Sequence, residues 1–256
     1  MPLGQIRYAG LTDPGKKRHG NEDSLLARPD LGLFAVADGL GGLDAGDVAS
    51  RMALEHIEAF YASTAATSAL APLAHGDSGE SRIQLVEHLI GSANKRIYEQ
   101  KQQLAVNMAT TLALVQIANK AMVVAHVGDS RVYLHRQGAL HRLTNDHSLV
   151  NALQANGTLT CKQAESSPQR HIITKALGAG QQVSPSVGWH PLQTNDQILL
   201  CTDGLTTMLQ DGAIALILNQ HGLAPGVIVQ QLVDRANDAG GFDNITALLI
   251  TFSGAE

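Results

Sequence analysis

The chain has 256 residues, 44% of them hydrophobic, and a net charge of −5. That length fits one large domain with a substantial core. The mild acidity and the lack of a long basic run give no reason to expect a nucleic-acid-binding surface, and no segment has the length or apolarity of a signal core or membrane span, so no membrane partner and a cytoplasmic location are expected. Cys161 and Cys201 are far apart and show neither a disulfide framework nor zinc spacing. Cys201 sits in an apolar run and is expected to be buried, whereas Cys161 sits in a polar, exposed stretch.

In chain order, Gln5–Tyr8 reads as a short first strand. Ser24–Ala27 and Leu33–Ala37 read as strands around a turn at Arg28-Pro29-Asp30-Leu31-Gly32. After a glycine loop at Gly39–Gly46, apolar residues at Val48, Met52, Leu54, Ile57 and Phe60 have helical spacing. Ser63–Gly79 reads as a loose connection. A second helix is expected over Arg82–Gln103. Thr110–Ile117, Ala121–Val127, Arg131–His135 and Leu140–Leu143 are rich in strand formers, with hairpin turns at Asn119-Lys120 and Gln137-Gly138. His147–Asn156 predicts a short helix ended by Gly157, and Thr158–Arg170 reads as polar and irregular. His171–Leu177, Ser186–His190 and Gln197–Thr202 read as strands or buried segments. Helices over Asp211–Gln220 and Pro225–Asp238 and a strand over Asn244–Phe252 complete the chain. Elements in blocks, joined by hairpins, argue for an α+β fold with antiparallel sheets, and no linker divides the chain.

Acidic clusters mark the edges of these apolar segments: Asn21-Glu22-Asp23, Asp38-Gly39, Gly128-Asp129-Ser130-Arg131, Asp203-Gly204 and Asp243-Asn244. Carboxylates gathered at strand ends repel one another unless a divalent cation joins them, and Asp oxygens with a backbone carbonyl suit Mg²⁺ or Mn²⁺. Two such ions sharing a water lower its pKa and suit attack on phosphorus. Taken singly, each cluster also has a plainer reading. An Asp-Gly is most often a turn, Asp129 fits a hairpin or an ion pair with Arg131, and Asp243-Asn244 fits a cap or an Asx turn. Lys16-Lys17-Arg18-His19 reads either as a solvated loop or as an anion-binding arm.

The order of the motifs adds a second line. Arg18-x-x-Asn21-Glu22-Asp23, Ala37-Asp38-Gly39-Leu40-Gly41-Gly42, Thr110-Thr111-Leu112, Gly128-Asp129-Ser130-Arg131, Thr144-x-Asp146-His147-Ser148, Thr174-x-Ala176-Leu177-Gly178, Thr202-Asp203-Gly204 and Asp243-Asn244-Ile245-Thr246 follow one another from about residue 18 to 252. This succession resembles the metal-dependent serine/threonine protein phosphatases (PPM family, type 2C), the compact bacterial branch in particular.

The resemblance implies a four-layer α-β-β-α sandwich in a single domain over 1–256, with a flap at about 145–170. It implies two core Mn²⁺ or Mg²⁺ ions and a weaker third. By matched position Asp38 would bridge the core ions, with the Gly39 carbonyl and, through water, Glu22 on one and Asp203 and Asp243 on the other. Asp129 with Asp203 would hold the third ion, Asp23 would give catalytic support, and Arg18 would grip the phosphate. The implied reaction is direct hydrolysis of phosphoserine or phosphothreonine in proteins by a bridging hydroxide, opposing a bacterial kinase. Leu40 stands where many eukaryotic members carry a histidine proposed as general acid. A catalytically silent phosphoprotein binder, a partner-switch phosphatase and a hydrolase of small phosphoesters are the competing readings.

Overall fold

A computed structural model describes residues 5–41, 45–63, 79–118, 120–165, 167–220 and 222–253. Residues 64–78 of the expected connection, the middle of the glycine loop, Asn119 and the side chain of Cys161 lie outside the described residues.

Eleven strands are described: β1 (Gln5–Asp13), β2 (Asp23–Arg28), β3 (Leu33–Leu40), β4 (Ala109–Thr110), β5 (Leu112–Ala118), β6 (Ala121–Val127), β7 (Arg131–Arg136), β8 (Ala139–Arg142), β9 (Ser186–Pro191), β10 (Asp196–Cys201) and β11 (Ile245–Ser253). They form two antiparallel sheets, ordered β1-β11-β10-β7-β8 and β2-β3-β5-β6-β9, with β4 paired to β3.

Side-chain alternation along the buried strands explains the layering. In β3, Phe34 and Val36 point into the core shared by the two sheets, while Leu33, Ala35 and Ala37 pack toward the helices Gly46–Ala62 and Gly79–Leu104. In β11, Leu248, Ile250 and Phe252 join the shared core. Ile245, Ala247 and Leu249 face outward, against Ile214, Leu218, Ile228 and Leu232 of the helices Asp211–Leu218 and Pro225–Asp238. Strands apolar on both faces are what two cores demand, and the four-layer sandwich follows.

Most expected elements stand within a residue or two of their places. Gln137 and Gly138 both have positive φ (53° and 81°), the conformation of a tight hairpin turn between β7 and β8. Three segments differ. The first strand runs to Asp13, because its whole length pairs with β11. The stretch 158–170 contains a short helix, Cys161–Glu165. Residues 171–177 form no strand and touch strand-like partners only at the isolated bridges Ser148↔Ile173 and Thr110↔Leu177. A continuous apolar run reads alike as strand or as buried coil, and here the sheet edge beyond β6 is taken by β9.

A candidate dinuclear metal centre

The registers bring one end of every acidic strand to the same rim. Asp23 at the start of β2 is paired with Asp38 near the end of β3. The end of β3 adjoins the start of β5, whose Leu112 faces Val127, and Gly128-Asp129 follow directly. In the other sheet Cys201 at the end of β10 pairs with Ala247 at the start of β11 and with Arg131 at the start of β7. Thr202-Asp203 therefore emerge beside Asp243-Asn244. The two rims are tied across the sandwich through Asp23, whose Oδ2 accepts from Thr246 Oγ1 at 2.6 Å and Thr202 Oγ1 at 2.8 Å.

Backbone contacts hold the loops that carry the carboxylates. Asp38 N–H donates to Thr111 Oγ1 (2.9 Å), and its carbonyl accepts from Thr111 N and Thr110 Oγ1 (both 2.9 Å). Thr111 Oγ1 lies 2.7 Å from Ser130 Oγ, beside Asp129. Glu22 N–H donates to Asn244 Oδ1 at 2.8 Å, so the residue after Asp243 fixes the residue before Asp23. The two glycines have a packing reason. A Cβ on Gly39 would lie 2.2 Å from the Gly46 carbonyl oxygen, and one on Gly204 1.9 Å from that of Asn244. Only glycine lets these chains approach so closely.

The electrostatics are those of anions brought together without a counterion. Burial raises the carboxyl of Asp38 well above its usual range, and Asp23, Asp203, Asp129 and Asp243 raise it further. Burial likewise pushes Asp23 up to about 7, against the two threonine hydrogen bonds that lower it and with Asp203 and Asp243 adding to the rise. Asp129 is pushed up to about 7 by burial, then by Asp203 and Asp146. Asp203 is raised by burial and Asp243, and it hydrogen-bonds Asp38. Asp23 Oδ1 is buried with no hydrogen-bond partner.

In burial and charge this donor set fits hard divalent cations, which remove the repulsion that protons must otherwise relieve. Among the described residues no group of three or more His, Cys, Asp or Glu side chains converges on one ion position as it stands. The carboxylates face each other instead, as Asp38 does Asp203.

The eight residues singled out from the sequence all reach this rim. Arg18 lies over it, its Nε and Nη2 each 2.9 Å from the Asp243 carboxylate, in a bidentate pair that is half exposed. With Lys17, His19, Glu22, Gly39 and Leu40 it lines a cavity of about 530 Å³. Asp129 does not pair with Arg131. That arginine forks onto Asp146, with Nε–Oδ1 at 3.0 Å and Nη2–Oδ2 at 2.7 Å. Asp243 Oδ1 accepts from the N–H of the next residue, Asn244 (2.9 Å), one residue short of the bond that defines an Asx turn. Thr202, Thr246 and Asn244 were missed as functional residues. All three stood inside the quoted motifs, and the available signal was their position flanking Asp203 and Asp243.

A family model described as protein phosphatase 2C matches residues 16–237. The protein phosphatase PhpP of Streptococcus pneumoniae is 35% identical over 248 residues, which is 95% of this chain and 96% of that protein. The serine/threonine phosphatase stp of Listeria monocytogenes is 36% identical over 245 residues, 93% of each. Among solved structures, the serine/threonine phosphatase of S. agalactiae superposes with a TM-score of 0.86 at 36% identity, over 98% of this chain and 100% of that one. The catalytic domain of the serine/threonine protein phosphatase PstP, solved with two manganese ions, gives a TM-score of 0.78 at 31% identity, over 97% and 98%.

Proposed function

The chain belongs to the protein phosphatase 2C family and is a metal-dependent serine/threonine protein phosphatase, and we propose how its own residues carry that activity. The observation that supports the assignment is the meeting of four Asp carboxylates, from both sheets, at one rim where burial and mutual repulsion hold them above their usual range.

Asp38, the Gly39 carbonyl and Glu22 would hold one core ion, and Asp38, Asp203 and Asp243 the other. Asp129 with Asp203 would hold a third. Mn²⁺ and Mg²⁺ both suit these oxygens. Bound there, such ions supply a water acidified enough to attack phosphorus and offset charge on the phosphoryl oxygens. Asp23, pinned through Oδ2 by Thr202 and Thr246, presents its unpartnered Oδ1 as the atom that takes up a proton at the rim. Arg18 turns its fork from Asp243 to the substrate phosphate. Leu40 lines the same cavity and has no proton to give, so the leaving alkoxide draws on another donor.

The substrate side is a phosphorylated protein, and the partner reaction is that of a serine/threonine kinase. Residues 145–170 form the recognition flap of a single domain. Among the described residues no helix is long and apolar enough to cross a membrane. We place its action in the cytoplasm, where a buried free thiol such as that of Cys201 stays reduced.

Hydrolysis of a phosphothreonine peptide with Mn²⁺, compared between the parent and Arg18→Ala, tests the assignment. The variant is expected to raise KM by on the order of 10-fold or more, as loss of a charged bidentate contact predicts, with a smaller change in kcat. A collapse of kcat at constant KM contradicts the role given to Arg18. Faster release from sugar phosphates than from phosphopeptides contradicts the protein substrate.

A further inference from the structure

A second cavity, of about 940 Å³, opens on the other side of the carboxylate rim from Arg18. Asp129 and Asp203 are among its lining residues. Arg142, at the end of β8, and Arg170 and His171, at the end of the flap, line it as well.

The charges in this cavity do not cancel. Arg131 is engaged by the fork on Asp146 and lies 3.9 Å from Asp211. Asp129 and Asp203 are engaged by cations on the reading above. Arg142 has one long contact, 3.8 Å, to an Asp146 oxygen that already accepts from Arg131 at 2.7 Å. Among the described residues no carboxylate pairs with Arg170, whereas His171 lies close enough to Asp203 to lower its carboxyl. Two arginine side chains, Arg142 and Arg170, thus line a cavity next to the reacting centre with little internal compensation. Arg18, which grips the scissile phosphate, lines the other cavity.

Resting on the phosphatase assignment, we propose that this cavity receives a second anionic side chain of the substrate, a carboxylate or a further phosphate near the scissile residue. Arg142 and Arg170 read it. Acidic or multiply phosphorylated segments are then the preferred substrate class. The guanidinium forks suit both anions, and phosphate more strongly for its charge.

Three phosphothreonine peptides of otherwise identical sequence test this: one with neutral flanks, one with flanking glutamates and one with a neighbouring phosphoserine. Release from the phosphothreonine is followed by mass spectrometry with Mn²⁺. The expected result is a kcat/KM about 10-fold higher for the anionic peptides, carried in KM and shrinking with added salt. In Arg142→Gln/Arg170→Gln the ratio of anionic to neutral peptide falls toward one, and Arg142→Gln alone gives an intermediate ratio. A preference for the doubly phosphorylated peptide only assigns phosphate as the occupant. Equal kcat/KM on all three, or a preference that survives in the double variant, overturns the anion site. No release from any peptide overturns the phosphatase assignment itself, a distinct outcome.

Discussion

Asp38→Asn is expected to lower kcat/KM on a phosphothreonine peptide by at least about a thousandfold, equivalent to ~4 kcal/mol of transition-state stabilisation. The substitution keeps the shape of the side chain and removes the charge that would join two ions. The same change is expected to stabilise the ion-free protein. Burial and four neighbouring carboxylates raise the Asp38 carboxyl, and a carboxyl raised on folding costs stability once its unfolded counterpart ionises. The sign follows from the direction of the shift. Asp23 and Asp129 bind protons more tightly in the folded chain, up to about 7. Their contribution is fully present below the ordinary carboxylate value of about 4 and is lost as pH rises toward about 7. Melting in EDTA at about pH 5 and about pH 7.5 reads this directly. The parent should gain more from Mn²⁺ at the higher pH, and Asp38→Asn should melt above the parent there without ions. A variant that turns over normally, or that melts lower in EDTA, contradicts the role given to Asp38.

Arg131→Met is expected to destabilise the fold by about 3 kcal/mol, because removing one partner of a largely buried pair strands the other charge. The Arg131 and Asp146 side chains are 21% and 10% exposed. Arg131 Nη1 also donates to the Tyr133 hydroxyl at 3.0 Å, which in turn donates to Asp211 at 2.8 Å. One guanidinium thus links β7, the base of the flap at Asp146 and the start of the Asp211–Leu218 helix. The melting temperature should fall by roughly 6–12 °C, at ~2–4 °C per kcal/mol for a chain of this size. Arg131→Met/Asp146→Asn should recover at least about half of the loss, since no unpaired charge remains. A loss under about 0.5 kcal/mol by denaturant unfolding, the range of ordinary surface changes, contradicts the strut.

Much of the fold was legible because its strands are buried on both faces and bounded by turn chemistry. Leu33–Ala37 and Asn244–Phe252 could be read from composition, and Gln137-Gly138 from the demands of a two-residue turn. The run 171–177 was not, since burial without pairing leaves the same apolar signature as a strand. At the rim, the acidic residues could be read from their places at the edges of apolar runs. Their support could not. Thr202 and Thr246 reach Asp23 across 179 and 223 residues of sequence, and that contact exists only once both sheets are stacked. The partner of Arg131 was left open in the sequence, with Asp129 as one candidate. Asp129 is nearer in sequence, but the hairpin returns Asp146 to the guanidinium. The glycine after Asp38 was read as offering its carbonyl to an ion, and the one after Asp203 was given no role. In the fold both admit a neighbouring backbone.

Anomalous X-ray scattering at the manganese edge, from crystals grown with Mn²⁺, tests the central claim most directly. The account predicts at least two peaks at the rim, bounded by Asp38, Asp203 and Asp243, and their loss in Asp38→Asn. Peaks elsewhere on the molecule, or none at that rim while phosphopeptide turnover persists, would contradict it.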